Sequence, residues 1–61
     1  MTIDEITALR GKRVRLRKTG SSKVIVGRVR RDVGHGYWEI ESDMQVLGMY
    51  LIEEWGLVSI G

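Results

Sequence analysis

The chain of 61 residues contains no cysteine, no proline and only one histidine. Without cysteine there are no disulfides or thiolate metal sites, and one histidine does not make a zinc site, so we expect no metal and no cofactor. The longest uninterrupted apolar run is four residues, whereas a membrane-spanning helix needs about 20. No basic segment leads into an apolar stretch near the N-terminus, so we expect no secretory signal and a cytoplasmic location.

The length of the chain predicts a single domain, residues 1–61. A domain of this size buries only about 60% of its unfolded surface, so we expect marginal stability. Small domains usually compensate with disulfides, a metal or partner subunits. With the first two excluded, good packing or self-association remains, and the sequence favours a homo-oligomer.

A short helix is predicted at the N-terminus. Thr2 and Glu5 have the spacing of a capping box. Apolar residues then recur at three-residue intervals, at Ile3, Ile6 and Leu9. Gly11 is a suitable stop because glycine accepts the left-handed conformation that ends many helices. The pattern predicts about two helical turns over residues 3–9.

From residue 12 onward a period of two replaces the helical period, and it predicts short antiparallel strands. The strands lie at about 12–19, 23–32, 37–42, 48–53 and 57–60. Gly20-Ser21 suits a two-residue turn between the first two strands, the first hairpin. This turn pairs Leu16 with Ile25 and leaves the apolar side chains of both strands on one side. A one-residue slip would scramble that arrangement.

The next turn is predicted at residues 34–36 because two glycines flank a polar residue there. The third strand then pairs Val29 with Ile40 and directs Trp38 inward. The same register gives two favourable cross-strand charge pairs, Arg28 with Glu41 and Arg30 with Glu39.

Two segments depart from regular strands. Gly27 lies in the middle of the second strand, facing the core opposite Val14, where a strand could bend sharply to close a small barrel. Residues 43–48 form a loop or turn, from which we expect Val46 and Leu47 to pack back.

The layout resembles that of the Sm-like and Src-homology-3-type small barrels. The resemblance rests on three segments, residues 9–16, Gly27-Arg28-Val29 and residues 57–60. It covers nearly the whole chain and implies an all-β fold, a small five-stranded antiparallel barrel behind a short N-terminal helix. It also implies association through edge strands. The chain has no asparagine, and residues 53–55 differ from the Sm-like motif before the last strand, so the Sm-like RNA pocket is not implied.

The charges are segregated along the chain. All ten basic residues lie between Arg10 and Arg31 with no acidic residue among them, and all six charged residues after Arg31 are acidic. The first hairpin therefore carries about +10 and the rest of the barrel about −6. The sequence thus predicts one strongly cationic surface, within a net charge of only +2.

The register places a row of arginines outward: Arg13, Arg15, Arg17, Arg28 and Arg30, with Val24 and Val26 between them. The planar guanidinium suits phosphate oxygens, and a basic two-stranded ribbon can follow a DNA or RNA backbone. The candidate nucleic-acid-binding residues are Arg13, Arg15, Arg17, Lys18, Lys23, Arg28, Arg30 and Tyr37. The alternative is that carboxylates of the same chain, or of a protein partner, pair with these arginines.

A second candidate surface is the apolar run at residues 49–52, which has no polar face. Such a strand is either covered on both faces or is an edge that pairs with another copy or a partner protein. The candidate interface residues are Met49, Tyr50, Leu51, Ile52, Glu53 and Glu54. The alternative function is therefore a protein-interaction module, such as a regulator or inhibitor of a partner. A small-ligand binder at an oligomer interface is a third possibility.

Catalysis is not expected. His35 lies between two glycines and has no positioned nucleophile or orienting group beside it in the sequence. Glu53 and Glu54 are adjacent, so in an extended strand their side chains point to opposite faces and do not form a carboxylate pair. Trp38 is predicted in the core and Trp55 over one end of the barrel, since so small a domain needs aromatic area.

Overall fold

A computed structural model describes residues 1–43 and 48–61. Its elements are helix α1 (Ile3–Ala8), strands β1 (Arg13–Lys18), β2 (Val24–Gly34), β3 (Tyr37–Ser42) and β4 (Gly48–Leu51), a one-turn 3₁₀ helix (Ile52–Glu54) and strand β5 (Trp55–Ile60). The predicted helix followed by five strands is confirmed. The fourth strand ends earlier than predicted and the fifth begins earlier, because the 3₁₀ helix lies between them. The expected packing of Val46 and Leu47 lies outside the described residues.

The N-terminal helix begins with the predicted capping box. The Thr2 N–H donates to Glu5 Oε1 at 2.9 Å, and the Glu5 N–H donates to Thr2 Oγ1 at 3.2 Å. Ile6 is fully buried and Leu9 is buried, whereas Ile3, the first residue of the predicted stripe, is largely exposed. The terminal ammonium of Met1 donates to the carbonyl of Trp55 at 2.7 Å. The helix is therefore fixed to the sheet at both ends.

Hydrogen bonds from Thr2 lower the pKa of the Glu5 carboxyl group below its ordinary value of 4.5; the bond from the Thr2 backbone N–H has the larger effect and the bond from its side chain the smaller. A carboxyl group whose pKa is lower in the folded state stabilises the fold when it is ionised. Its contribution is therefore complete above pH 4.5 and is lost as the pH falls through the lowered pKa. The capping box makes the helix start sensitive to acid.

Thr2→Ala is expected to lower the free energy of unfolding by about 1 kcal/mol at neutral pH, because it removes the acceptor for the Glu5 N–H. Urea unfolding at pH 7 and at a pH below 4.5 measures the effect, which should shrink as Glu5 becomes protonated. Thr7→Ala is the matched control, since Thr7 lies inside the same helix, where alanine is the better helix former. Equal losses in both variants would contradict the capping role.

The five strands form one antiparallel sheet in the order β4-β3-β2-β1-β5. The sheet is not closed: β4 and β5 are its two end strands, and no pairing joins them in the described part of the chain. Because only the 3₁₀ helix separates them in sequence, the sheet must curl until its ends approach one another. The curled side holds the core, made by Ile6, Leu9, Val14, Leu16, Val29, Trp38, Ile40, Ile52 and Trp55.

The first hairpin has the predicted register, with Leu16 opposite Ile25. Its connection is longer than predicted. Residues 19–22 form a four-residue loop, closed by a hydrogen bond from the Lys18 N–H to the Lys23 carbonyl at 2.9 Å. The Thr19 N–H instead donates to the Glu54 carbonyl in the 3₁₀ helix at 2.8 Å. Thr19 therefore bonds to a distant segment and not across the hairpin, and the register of the two strands is unchanged.

The second hairpin has the predicted pairs of Val29 with Ile40 and Arg28 with Glu41. The predicted pair of Arg30 with Glu39 is wrong, because Arg31 lies opposite Glu39. The cause is the turn: residues 35 and 36 both have positive φ, at 58° and 81°, which is the type I′ pattern. This turn pairs residue 34 with 37. Counting back from that pair without interruption would place residue 31 opposite residue 40, whereas residue 29 lies there, a difference of two residues. Two irregularities in the ladder, one of them at residue 30, absorb the difference.

Candidate nucleic-acid interface

The side of β1 and β2 that faces away from the core forms a basic surface. We call it the outer arginine face, and it consists of Arg13, Arg15, Arg17 and Arg28 with Val24 and Val26. The alternation of β1 creates it, because Val14 and Leu16 are fully buried and the intervening residues must point to the other side. All four arginines are exposed, as predicted.

Two of these four arginines have partners within the molecule. Arg13 Nη2 lies 2.8 Å from Asp43 Oδ2, in a pair whose side chains are both well exposed. Such exposed pairs stabilise a fold by at most about 1 kcal/mol, but the carboxylate offsets the local charge of Arg13. Arg28 Nη1 donates to the Gly11 carbonyl at 2.6 Å. A carbonyl is neutral, so this bond orients the Arg28 guanidinium without cancelling its charge.

Arg15 and Arg17 keep their charges uncompensated. No carboxylate of the described residues lies within ion-pair distance of either guanidinium. Their cross-strand neighbours are all uncharged: Val26 and Ser59 beside Arg15, and Val24 and Gly56 beside Arg17. The two side chains stand two residues apart on one strand face, about 7 Å from each other at their Cα atoms. They are the centre of the candidate site.

The two lysines of the predicted set belong to the other side of the hairpin. Lys18 continues the inward alternation of Leu16 and pairs with the buried Trp55. Lys23 lies opposite Lys18 across the loop. Sequence reasoning grouped them with the arginines because all are basic and close in sequence. The strand alternation separates them from the outer arginine face.

A second basic group lies further along β2, at the irregularity in the ladder. Arg30 is exposed and has no partner in β3, and its carbonyl accepts a hydrogen bond from Arg10 Nε at 3.1 Å. Arg31 Nε lies 3.3 Å from Glu39 Oε1. Sequence reasoning missed Arg10 and Arg31. No residue pattern in β2 indicates the irregularity that places Arg31 opposite Glu39, and none indicates the contact of Arg10 with the Arg30 carbonyl.

The aromatic residues lie away from the outer arginine face. Trp38 and Trp55 are buried, in agreement with the predicted structural roles. Tyr50 packs edge-to-face on Trp55, with ring centroids 5.4 Å apart. Tyr37 is exposed, as predicted, but it begins β3 opposite Gly34, at the far end of β2 from the first hairpin's loop. The structure therefore does not bring Tyr37 to the arginines.

The second candidate surface is an edge of the sheet, since β4 is an end strand. The expectation of a strand covered on both faces is wrong for Met49, which is 69% exposed. Tyr50 and Leu51 are half-buried, and Ile52 is fully buried in the 3₁₀ helix, so it is a core residue. Glu53 and Glu54 are exposed on the same helix.

The other edge of the sheet, β5, also exposes apolar side chains, which the sequence analysis did not single out. Leu57, Val58 and Ile60 are 39%, 54% and 56% exposed. Leu57 and Ile60 lie opposite Leu16 and Val14 and so have the parity of core residues. Only their position at the end of the sheet leaves them uncovered.

Three other features of the described residues concern metal binding, membrane-spanning helices and cavities. Residues 1–43 and 48–61 contain no group of three or more histidines, aspartates and glutamates placed to hold a metal ion. Neither helical segment described has the length and apolar character needed to cross a membrane. A hollow of about 340 Å³ lies between the helix start and the second hairpin, lined in part by Ile3, His35 and Glu53.

No protein-family model matches the chain, and neither the curated proteins nor the solved structures show a match to it.

Proposed function

We propose that the protein is a small, non-enzymatic nucleic-acid-binding protein that contacts phosphates through the outer arginine face. The observation that supports this most directly is that Arg15 and Arg17 are exposed and have only uncharged residues as cross-strand partners. Guanidinium groups bind phosphate oxygens with two parallel hydrogen bonds, so such arginines are well suited to a nucleic-acid backbone. We also propose that the protein is located in the cytoplasm.

The electrostatic cost of the arginine row also favours a polyanionic partner. Like charges on one strand face repel each other, and nearby acidic side chains could remove that repulsion. The chain has six acidic residues after Arg31, yet the described carboxylates pair only with Arg13 and Arg31. Arg15 and Arg17 would gain their counter-charges on binding phosphate.

The architecture we propose is a curled barrel of the Sm-like or Src-homology-3 type. The N-terminal helix, the five antiparallel strands and the approach of the two end strands support it. The proposed phosphate surface is the outer side of the first hairpin, and it does not use the position of the Sm-like RNA pocket.

Binding to a fluorescently labelled nucleic acid is expected to weaken steeply with salt. Each phosphate neutralised contributes about 0.9 to the log–log slope for duplex DNA, so contacts from Arg15, Arg17 and Arg28 give a slope of about −2.7. Fluorescence anisotropy across a salt series measures this slope. Arg31→Ala is the matched control, because Glu39 already neutralises Arg31 and the slope should stay unchanged.

Two results would contradict the proposal. One is the absence of binding to any duplex or single strand at low salt, up to protein concentrations of roughly 10⁻⁴ M, the weak limit of non-specific binding. The other is an affinity that does not change with salt.

A second candidate function is protein interaction through the sheet edges, with a second copy of the chain as the first partner to test. Both end strands expose apolar side chains, Met49 on β4 and Val58 and Ile60 on β5. Exposed edges of this kind pair with other strands. A regulator or inhibitor that adds a strand to a partner protein would use the same edges.

Self-association is expected to give a species larger than a monomer in sedimentation, and Met49→Lys or Val58→Lys should restore the monomer because a charge blocks edge pairing. Thr7→Lys, on the exposed side of α1, is the control and should leave the assembly intact. A monomer at every concentration tested would remove the homo-oligomer from consideration.

A further inference from the structure

The outer arginine face has no aromatic side chain with which a base could stack. All four Trp and Tyr residues of the chain lie among the described residues, and each has another position: two in the core, one packed on a core tryptophan and one at the far hairpin. The side chains between the arginines are Val24 and Val26, which are aliphatic. The outer arginine face itself therefore offers guanidinium groups and aliphatic side chains, but no aromatic ring.

The lack of aromatic side chains on this surface favours double-stranded over single-stranded nucleic acid. Proteins that bind single strands gain about 1–3 kcal/mol per base from stacking on aromatic rings, and this gain helps to offset the ordering of a flexible strand. A duplex needs no such gain, because its bases are already stacked and its phosphates are already ordered. From the side chains on this surface, and given the proposed function on which this rests, we infer that the ligand is a double-helical nucleic acid.

The backbone positions of the arginines have a fixed spacing that suits a stiff ligand. β1 is paired on both sides, by β2 and β5, so the backbone carrying Arg15 and Arg17 is constrained. The hydrogen bond to the Gly11 carbonyl orients the Arg28 guanidinium at the Arg13 end of the same row. Because this backbone is already ordered, only the arginine side chains lose conformational freedom when the row meets a regular row of phosphates. A duplex, with a persistence length of about 150 base pairs, presents such a row.

The width of the sheet indicates that the contact is with the backbone and not with base edges. The backbones of β5, β1 and β2 span about 10 Å before their own thickness is added, whereas the major groove is about 12 Å wide. A sheet of three or more strands therefore does not enter the groove with its face. On the β3 side, the carboxylates of Glu41 and Asp43 adjoin the surface and repel phosphate. The surface is thus suited to one backbone of a duplex, without sequence readout.

The test measures the affinity for a duplex of about 24 base pairs and for each of its two strands, designed without self-complementarity, at one low salt concentration. Duplex DNA and duplex RNA of the same sequence form two arms. We expect at least one duplex to bind about tenfold more tightly than its strands, since the strands find no aromatic side chain to stack on here. Tighter binding to either duplex supports the inference, and the tighter of the two identifies the natural class.

Two further measurements make the outcome specific. Duplexes rich in A·T and in G·C should bind within about threefold of each other, because phosphate contacts carry no sequence information. Tyr37→Ala should leave both duplex and single-strand affinity unchanged. Single strands that bind as tightly as the duplex, or a loss of single-strand binding in Tyr37→Ala, would overturn the duplex inference while leaving the proposed function in place. Binding to no nucleic acid would overturn both.

Discussion

Gly27→Ala is expected to destabilise the protein strongly, by a large part of its total stability. Gly27 is buried in β2, directly opposite Val14 on one side and Ser42 on the other. An added Cβ atom would meet the Glu41 carbonyl oxygen most closely, with Ser42 Cα at 2.8 Å and the Glu41 carbonyl carbon at 2.9 Å. These atoms belong to the backbone of β3, which is held in the ladder and does not rotate away as a side chain would.

This loss in the free energy of unfolding is large compared with the total stability expected of so short a chain. Overpacking usually costs about 1–3 kcal/mol and more where the neighbour does not yield, so we expect a loss of at least about 3 kcal/mol. A domain of this length has a total stability of roughly 3–9 kcal/mol. Circular dichroism with urea or thermal unfolding measures the loss.

Gly56→Ala is the matched control for Gly27→Ala. It makes the same change inside another strand, where the nearest atom to the added Cβ is the Arg17 carbonyl oxygen at 3.9 Å. Alanine there fits without strain and reduces the freedom of the unfolded chain, so a neutral or slightly stabilising effect of up to about 1 kcal/mol is expected. If the two variants were equally stable, the close approach of β2 and β3 would not be a determinant of the fold.

The double variant Arg15→Glu with Arg17→Glu is expected to reduce nucleic-acid affinity by roughly 100-fold at low salt. This corresponds to about 2.7 kcal/mol, or about 1.4 kcal/mol for each reversed charge. Such a value is reasonable, because hydrogen bonds to charged groups contribute about 1.5–3 kcal/mol and each glutamate also repels phosphate. The salt slope should fall by about 1.8, since two phosphate contacts are lost. Fluorescence anisotropy gives both quantities.

The control for this variant is Lys18→Glu with Lys23→Glu, which changes the net charge by the same amount on the other side of the hairpin. These two residues lie opposite each other and carry like charges before and after the change, so the fold should tolerate it comparably. We expect a much smaller loss of affinity. Equal losses in the two double variants would mean that total charge, and not the outer arginine face, determines binding.

The first hairpin was predictable because its alternation is unambiguous. Val14 and Leu16 are separated by arginines, and a slip of one residue would turn arginines into the core, at a large cost in burying charge. The predicted register holds even though the connecting loop is longer than predicted. Distant contacts decide the loop, since the Thr19 N–H bonds to the Glu54 carbonyl, and no local pattern indicates that contact.

The second hairpin was only partly predictable because β2 becomes polar on both sides after Val29. Arg30, Arg31 and Asp32 are all exposed, so no apolar side chain penalises a shift in pairing. The turn at His35 and Gly36 then sets the register from the other end, and the two registers disagree by two residues. Local polarity and turn geometry, rather than burial, produce the irregularity.

The composition of the candidate site was predictable, but its limits were not. Alternation correctly turned Arg15 and Arg17 outward. It did not reveal that Asp43 reaches Arg13, because Asp43 lies just past the end of β3, which is not a neighbour of β1 in the sheet. It also did not show that Ile60 is uncovered, since parity indicates a face of the sheet but not whether a strand lies at its end.

The most direct test of the phosphate surface is a titration of the ¹⁵N-labelled protein with a short duplex, followed by backbone amide chemical shifts. The largest shifts are expected on the two strands that carry the outer arginine face, at residues 13–17 and 24–28, with little change at residues 48–51. Shifts concentrated on β4 and β5, or shifts absent at saturating duplex, would contradict the assignment of this face as the nucleic-acid interface.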